Sequence, residues 1–271
     1  MRTISLDQLT VMGVRPAELV DIAAQAGFGA ISPMMGLSRG SDLPVVPLRA
    51  GDPDTLAMAR ALKDSGVFIN NADGFTLSAG TVMDDLRAAV DLMAEMGARG
   101  LVTLVFDSDR ARAFDNYCQL RDWAQAAGLT LLLEFTALSQ IGSLREALAW
   151  IDRAGGDNLA VLVDLMHLNR SGETPADVAA LAPGVVRGAQ LCDGRREVTA
   201  EEYLDQAMNE RMVPGEGEYP VVEFLAALPR DLVIGLEIPL RQHIAAGESH
   251  LDRARRVLAA TRAALAQAGA E

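Results

Sequence analysis

Four side chains whose oxygen atoms could bind a metal ion each lie at the end of an aliphatic run: Glu134, Asp164, Gln190 and Glu237. If these runs are neighbouring strands of one parallel sheet, the four side chains meet at its carboxyl edge and point inward at similar depth. Three acids at close range need a counter-charge, so either a pKa rises or a cation binds among them. Carboxylate and amide oxygens suit a hard ion. We therefore expect one divalent metal ion, Mn²⁺ first, with Mg²⁺, Co²⁺ and Zn²⁺ as alternatives.

Other polar residues near strand ends have simpler explanations as well. A single acid at a strand end commonly caps a helix or forms a salt bridge, but four on consecutive strands fit that explanation poorly. For Asp193 we favour a structural role. Asn70 and Asn71 end the third predicted strand and could donate hydrogen bonds to a hydroxylated ligand.

The runs that carry these residues alternate with helical segments along the whole chain. The predicted strands are Thr3–Leu9, Gly29–Pro33, Val67–Asn71, Gly100–Phe106, Thr130–Phe135, Leu159–Asp164, Val186–Leu191 and Leu232–Glu237. The predicted helices are Arg15–Ala26, Pro53–Ser65, Met83–Met96, Ala111–Ala127, Ser143–Ala154, Thr174–Ala182, Val221–Leu228 and His250–Ala268.

Alternation of strand and helix favours a parallel sheet, because parallel strands need crossover helices. Eight such units predict a single (β/α)₈ TIM barrel, an α/β fold, occupying residues 1–271 as one domain. A doubly wound open sheet is the rival, but Leu9–Gly13 is not the glycine-rich loop that such a sheet would use to bind a dinucleotide. Two long loops, Met34–Gly51 and Cys192–Pro220, follow strand ends on the side where barrel enzymes place their sites.

Composition excludes several classes of protein. The chain of 271 residues has a net charge of −13, which disfavours binding to nucleic acid. Its two cysteines fit neither a disulfide framework nor a thiolate zinc site. The sequence shows no membrane-spanning run and no secretory signal, so we expect a cytoplasmic protein with a small-molecule substrate and no membrane partner.

Five short segments together resemble the xylose-isomerase-like TIM-barrel superfamily, specifically its sugar-phosphate isomerase/epimerase group. They are Leu133-Glu134, Asp164-Leu165-Met166-His167, Gln190-Leu191-Cys192-Asp193, Pro214-Gly215-Glu216-Gly217 and Leu236-Glu237. The resemblance extends over nearly the whole chain as architecture. It implies carbohydrate metabolism without specifying a substrate, and a homo-oligomer is an option that it leaves open.

The resemblance also implies roles for individual residues. Glu134, Asp164, Gln190 and Glu237 correspond to four metal ligands, although many relatives carry histidine in place of Gln190. His167 corresponds to a histidine that hydrogen-bonds substrate oxygens. Arg196, six residues after Gln190, corresponds to an arginine that binds substrate hydroxyls, and Arg195 competes for that role.

Such a site supports proton transfer next to a carbonyl group. A divalent metal ion stabilises an enediolate, and Glu134 and Glu237 on either side of the substrate could move the proton. We therefore expect an isomerase or epimerase of a small keto-sugar or keto-polyol. A dehydratase or lyase acting on an inosose or a dehydroshikimate-like ring is the alternative, and a non-catalytic sugar-binding barrel is a third hypothesis.

Overall fold

Nine parallel strands form the central sheet of this computed structural model, which describes residues 2–36 and 44–271. The strands are β1 (Ile4–Asp7), β2 (Ala30–Ser32), β3 (Phe68–Ile69), β4 (Asn71–Ala72), β5 (Gly100–Thr103), β6 (Thr130–Glu134), β7 (Leu159–Asp164), β8 (Val186–Leu191) and β9 (Ile234–Leu236). They lie in the order β3-β2-β1-β9-β8-β7-β6-β5-β4.

The sheet closes on itself because β3 and β4 together fill one strand position of the barrel. Each of these positions is called a stave. Only Asn70 separates β3 from β4; β3 pairs with β2 and β4 pairs with β5. The nine strands therefore make eight staves, which confirms the predicted (β/α)₈ TIM barrel. The predicted third strand, Val67–Asn71, is broken where the chain passes from one neighbour to the other.

Helices follow the strands and cover the outside of the barrel. They are α1 (Pro16–Ala26), α2 (Pro53–Ser65), α3 (Met83–Glu95), α4 (Arg110–Ala126), α5 (Leu144–Ala154), α6 (Leu165–Arg170), α7 (Pro175–Ala179), α8 (Ala200–Asn209), α9 (Val221–Ala227), α10 (Arg241–Ala245) and α11 (His250–Gln267). Asp109, Ser143 and Ser249 cap α4, α5 and α11 by accepting hydrogen bonds from first-turn amides, which sets where these helices begin. No helix in the described ranges is both long and apolar enough to cross a bilayer.

The core has two layers because strand side chains alternate between the two faces of the sheet. The larger layer packs strands against helices, and a small inner cluster fills part of the barrel with Val102, Leu132, Ala160 and Leu162. Residues two positions after an inward side chain also point inward. Glu134 and Asp164, which follow Leu132 and Leu162 at that spacing, therefore face the barrel axis at its carboxyl rim.

Several elements differ from the sequence predictions. The first strand ends at Asp7, because Gln8–Val11 forms a 3₁₀ turn and Thr10 Oγ1 donates to Leu236 O over 2.6 Å. The long loop Cys192–Pro220 contains α8, and α6 and α10 were also not predicted. In the loop Met34–Gly51, residues 37–43 lie outside the described residues.

Asn70 and Asn71 were placed at the wrong end of the barrel by the sequence interpretation. They line a cavity together with Thr130 and Val186, the first residues of β6 and β8. That cavity opens at the amino ends of the strands, opposite the rim that carries Glu134 and Asp164.

Candidate functional site

The four predicted ligands lie on consecutive staves at the carboxyl rim. Glu134 ends β6 and Asp164 ends β7. Gln190 pairs in register with Asp164 on one side and with Gly235 on the other, and Glu237 follows β9 two residues after Gly235. Period-two alternation then turns Gln190 and Glu237 inward with Asp164. The structure thus brings these side chains to one rim, as the strand ends predicted.

Asp164 links the site to the helix that follows it. Its Oδ1 accepts hydrogen bonds from the backbone amides of Met166 (2.6 Å) and His167 (3.1 Å), so it is the N-cap of α6. A cap at the strand end starts the helix immediately, and the first turn of α6 carries His167 back over the barrel. The spacing Asp164–His167 therefore follows from one turn of capped helix.

His167 is held on both sides of its ring. Nε2 lies 3.4 Å from Glu134 Oε1, and Nδ1 lies 2.7 Å from the hydroxyl of Tyr203. That hydroxyl also bonds Thr136 Oγ1 at 2.7 Å, and all these side chains are buried. Because Tyr203 lies on α8, the unpredicted helix orients the histidine.

Three of these groups form a compact set that could hold a metal ion. Glu134, Asp164 and His167 each offer one ligand atom, and the three atoms lie within 4.8 Å of one another. All three residues are buried. Carboxylate oxygens and an imidazole nitrogen suit several divalent ions, so this set does not select one of them.

A buried arginine that sequence reasoning missed lies between two of the carboxylates. Arg211 Nη1 donates to Asp164 Oδ2 at 2.7 Å, and Nη2 donates to Glu237 Oε2 at 2.6 Å. Nε and Nη2 also bond Ala207 O at 3.2 Å, and Nη1 lies 3.7 Å from Cys192 Sγ. The guanidinium is therefore fully hydrogen-bonded and fixed in place.

The arginine chosen from the sequence lies elsewhere. Arg196 is exposed, and its Nε donates to Glu218 O at 2.8 Å. Arg195 is also exposed and pairs with Glu202. The substrate-binding role of Arg196 stays a prediction. Counting six residues from Gln190 does not reach the buried arginine, because α8 lies between that strand end and Arg211. The available signal was Arg211 itself, three residues before the turn Pro214-Gly215-Glu216-Gly217.

Asp193 stabilises that turn by hydrogen bonds, in agreement with the structural role that the sequence predicted for it. Asp193 Oδ2 accepts from the amide of Gly215 at 2.9 Å, and Oδ1 accepts from the amides of Gly194 (2.8 Å) and Tyr219 (3.0 Å). The same segment carries Arg211, so Asp193 contributes to the site by folding the loop.

Two further acids, also missed from the sequence, lie among these groups. Asp7 ends β1 and accepts a hydrogen bond from Gln190 Nε2 at 3.1 Å. Burial, with the charge of Asp164, raises the pKa of Asp7 to about 7. Asp73 follows β4, and burial together with the charge of Asp7 raises its pKa well above the usual value. Asp7 obeys the same rule as Glu134, since it is an acid that ends an aliphatic strand.

Charge balance in the cluster is incomplete. Burial raises the pKa of Glu237 to about 8; Arg211 opposes this rise and Glu134 adds to it. For Asp164, burial acts to raise the pKa, but Arg211 and His167 together keep it below its usual value. Five acids thus face one guanidinium, and protons or a further cation must balance the remainder. Gln190 Oε1 and Asp7 Oδ1 are buried without a hydrogen-bond partner among the described residues, so the donor set fits a divalent cation.

The sequence also matches a family model described as the xylose isomerase-like TIM barrel over residues 20–262. The chain belongs to this family. It has no match among curated proteins.

Within the xylose isomerase-like family, solved structures share the fold along the whole chain. A xylose isomerase domain protein from Alicyclobacillus acidocaldarius is 20% identical with a TM-score of 0.77, covering 99% of this chain and 100% of that one. The IolI protein with a bound zinc atom is 13% identical with a TM-score of 0.78, covering 98% of each chain. An L-ribulose 3-epimerase is 15% identical with a TM-score of 0.76, covering 99% and 96%.

Proposed function

We propose that this protein is a divalent-metal-dependent isomerase or epimerase of a small keto-sugar or keto-polyol. The observation that carries the proposal is the set of inward-facing oxygen ligands on four consecutive staves, with more buried acid than Arg211 can balance. The structural likeness to an L-ribulose 3-epimerase and to a zinc-binding barrel is consistent with this chemistry.

Glu134, Asp164, Gln190 and Glu237 would hold the ion, with Mn²⁺ as the expected metal and Mg²⁺, Co²⁺ or Zn²⁺ as alternatives. When bound, the ion supplies Lewis acidity that lowers the pKa of the carbon acid next to the substrate carbonyl. His167 is an alternative metal ligand, because its ring lies in the compact set with Glu134 and Asp164.

The chain's own groups then move the proton. Glu134 and Glu237 follow β6 and β9, which β7 and β8 separate, so they can reach a substrate from two sides. One carboxylate takes the proton and the other returns it, either to the neighbouring carbon or to the opposite face of the same carbon. His167 donates a hydrogen bond to a substrate oxygen. Arg211, fixed by its contacts, keeps a positive charge beside Glu237 throughout.

A dehydratase is the second candidate, and Asp73 favours it. Burial, with the charges of Asp7 and Glu237, raises the pKa of this carboxyl well above its usual value, which favours its protonated form. A protonated acid at the rim could protonate a departing β-hydroxyl after the same proton abstraction. Substrates of inosose or dehydroshikimate type carry such a hydroxyl.

One experiment separates these activities. The protein is stripped with a chelator, reloaded with Mn²⁺, Mg²⁺, Co²⁺ or Zn²⁺, and incubated in D₂O with a panel of keto-sugars, inososes and dehydroshikimate. An isomerase or epimerase incorporates deuterium next to the carbonyl and yields an isomer of unchanged mass apart from the label. A dehydratase yields a product lighter by one water. Absence of exchange and of product with every metal and substrate would contradict the proposal.

A further inference from the structure

Gln190 differs from the other three proposed ligands because the two ends of its side chain are not equivalent. Only the amide oxygen can bind a metal ion, since the amide nitrogen has two hydrogens and no free lone pair to offer. We propose that Asp7 is a positioning residue that fixes the Gln190 amide with its oxygen available to a divalent metal ion. This inference rests on the proposed metal site.

The hydrogen bond between the two residues sets the direction of the amide. Gln190 Nε2 donates to Asp7 Oδ2 at 3.1 Å, and the side chains are 2% and 1% exposed. The hydrogens of the amide are on Nε2, so this contact places the nitrogen end of Gln190 toward Asp7. Gln190 Oε1 is then left at the other end, buried and without a hydrogen-bond partner among residues 2–36 and 44–271. A buried amide oxygen left unbonded is costly, and a cation would satisfy it.

Gly235 makes this contact possible across the strand that lies between the two residues. In register, Gly235 is the partner of Gln190 in β8 and of Ser5 in β1. A Cβ atom at position 235 would lie 2.4 Å from Asp7 Oδ2 and 2.9 Å from Oδ1. The missing side chain on β9 therefore leaves the space through which Gln190 and Asp7 meet.

Two hydroxyl groups lie on the strands that carry and adjoin Asp7. Ser32 is the register partner of Asp7 in β2, and its Oγ lies 3.0 Å from Ser5 Oγ in β1. Residues of β1, β2, β8 and β9 therefore surround Asp7. Such support of a ligand by a neighbouring carboxylate is the arrangement commonly found behind metal-binding histidines.

The test is the Mn²⁺ affinity of purified, metal-stripped protein at pH 8, measured by titration calorimetry. In Asp7→Asn the new amide can also donate to Gln190 Oε1, so the Gln190 amide is no longer held with its nitrogen toward residue 7 and its oxygen toward the metal. We expect the affinity to fall about 10–100-fold. Asp107→Asn is the matched control, because it also removes one buried carboxylate, one that pairs with Arg112. Its Mn²⁺ affinity should equal that of the wild type.

A double variant provides the rescue. In Asp7→Asn with Gln190→Glu, both ends of residue 190 are oxygens, so one accepts from the asparagine and the other reaches the metal. The net charge equals that of the wild type, and the affinity should return to within about threefold. Gly235→Ala, which displaces Asp7 while retaining both polar residues, should reproduce the loss and carries the test if Asp7→Asn does not fold.

The outcomes separate this inference from the proposed function. Wild-type protein that binds no divalent ion overturns both. Normal Mn²⁺ binding by the wild type together with unchanged binding by Asp7→Asn, or a double variant that stays weak, overturns the role of Asp7 alone.

Discussion

Arg211 Nη2 lies 2.6 Å from Glu237 Oε2, so the carboxylate proposed to move the substrate proton is held by a buried guanidinium. Burial alone would lower the pKa of Arg211, but the charges of Asp164 and Glu237 raise it well above its usual value. The arginine therefore stays charged. It is a permanent counter-charge in the cluster, whereas any metal ion is exchangeable.

Replacement of Arg211 by Met should destabilise the metal-free protein strongly. The substitution leaves the buried Asp164 and the partly buried Glu237 without their partner. Loss of one partner of a buried ion pair costs about 3–5 kcal/mol. Urea unfolding in EDTA measures the loss. Mn²⁺ should restore more of the lost stability in this variant than it adds to the wild type.

Arg196→Ala is the control for that substitution, because Arg196 is exposed. Its stability should stay within about 0.5 kcal/mol of the wild type. A milder effect of Arg211→Met than of Arg196→Ala would show that the buried ion pairs do not stabilise the fold.

Replacement of Glu237 by Gln should suppress proton exchange at the substrate carbon. The amide keeps an oxygen near the metal but cannot accept the proton, so the exchange rate should fall by about 10²–10⁴-fold. Deuterium incorporation from D₂O, followed by NMR with whichever substrate of the panel the wild type turns over, measures it. Glu223→Gln on the exposed side of α9 is the control and should exchange normally. Normal exchange by Glu237→Gln would move the role to another residue.

The stability of the metal-free protein should respond to the raised pKa of Glu237. Its ordinary value is 4.5 and burial raises it to about 8 in the fold. Between these values the folded protein holds a proton that the unfolded chain releases, so stability falls as pH rises through this window. Thermal melting in EDTA from pH 5 to pH 8.5 should show a steeper decline for the wild type than for Glu237→Gln. Parallel curves would mean that Glu237 titrates near its ordinary pKa.

Loss of the Tyr203 hydroxyl should release His167. Tyr203→Phe removes the partner of His167 Nδ1, so the ring should lose its fixed tautomer and weaken its hold on substrate. ¹⁵N NMR of the histidine ring reports the tautomer, and a raised KM reports the weaker contact. Tyr117→Phe is the control because the Tyr117 hydroxyl is buried without a hydrogen-bond partner among the described residues. A sharp, unchanged His167 signal in Tyr203→Phe would contradict this role.

The barrel and its acidic rim were predictable because they follow from short-range patterns. Continuous aliphatic runs, each ending in an acid or an amide, define the strand ends, and the register then pairs Asp164 with Gln190. Asp7 was predictable by the same rule, but a strand drawn to Leu9 hid it inside an element instead of at its end.

The arginine could not be found by spacing because its position depends on a loop. Helix α8 separates Arg211 from the strand end, and the pairings of Asp193 with Met212 and of Glu210 with Leu240 bring the segment back to the rim. A longer loop increases the number of residues between two side chains, although the two side chains can still meet in space. The roles of Arg196, of the metal ligands and of His167 remain predictions.

Helix α8 supports the two sides of the site at once. Its Tyr203 binds the ring of His167, and its Ala207 carbonyl receives two donors of Arg211. A shift of this single segment would move a hydrogen-bond donor and a fixed charge together while every barrel strand stayed in place. The position of this one loop segment therefore couples the orientation of the histidine to the place of the buried charge.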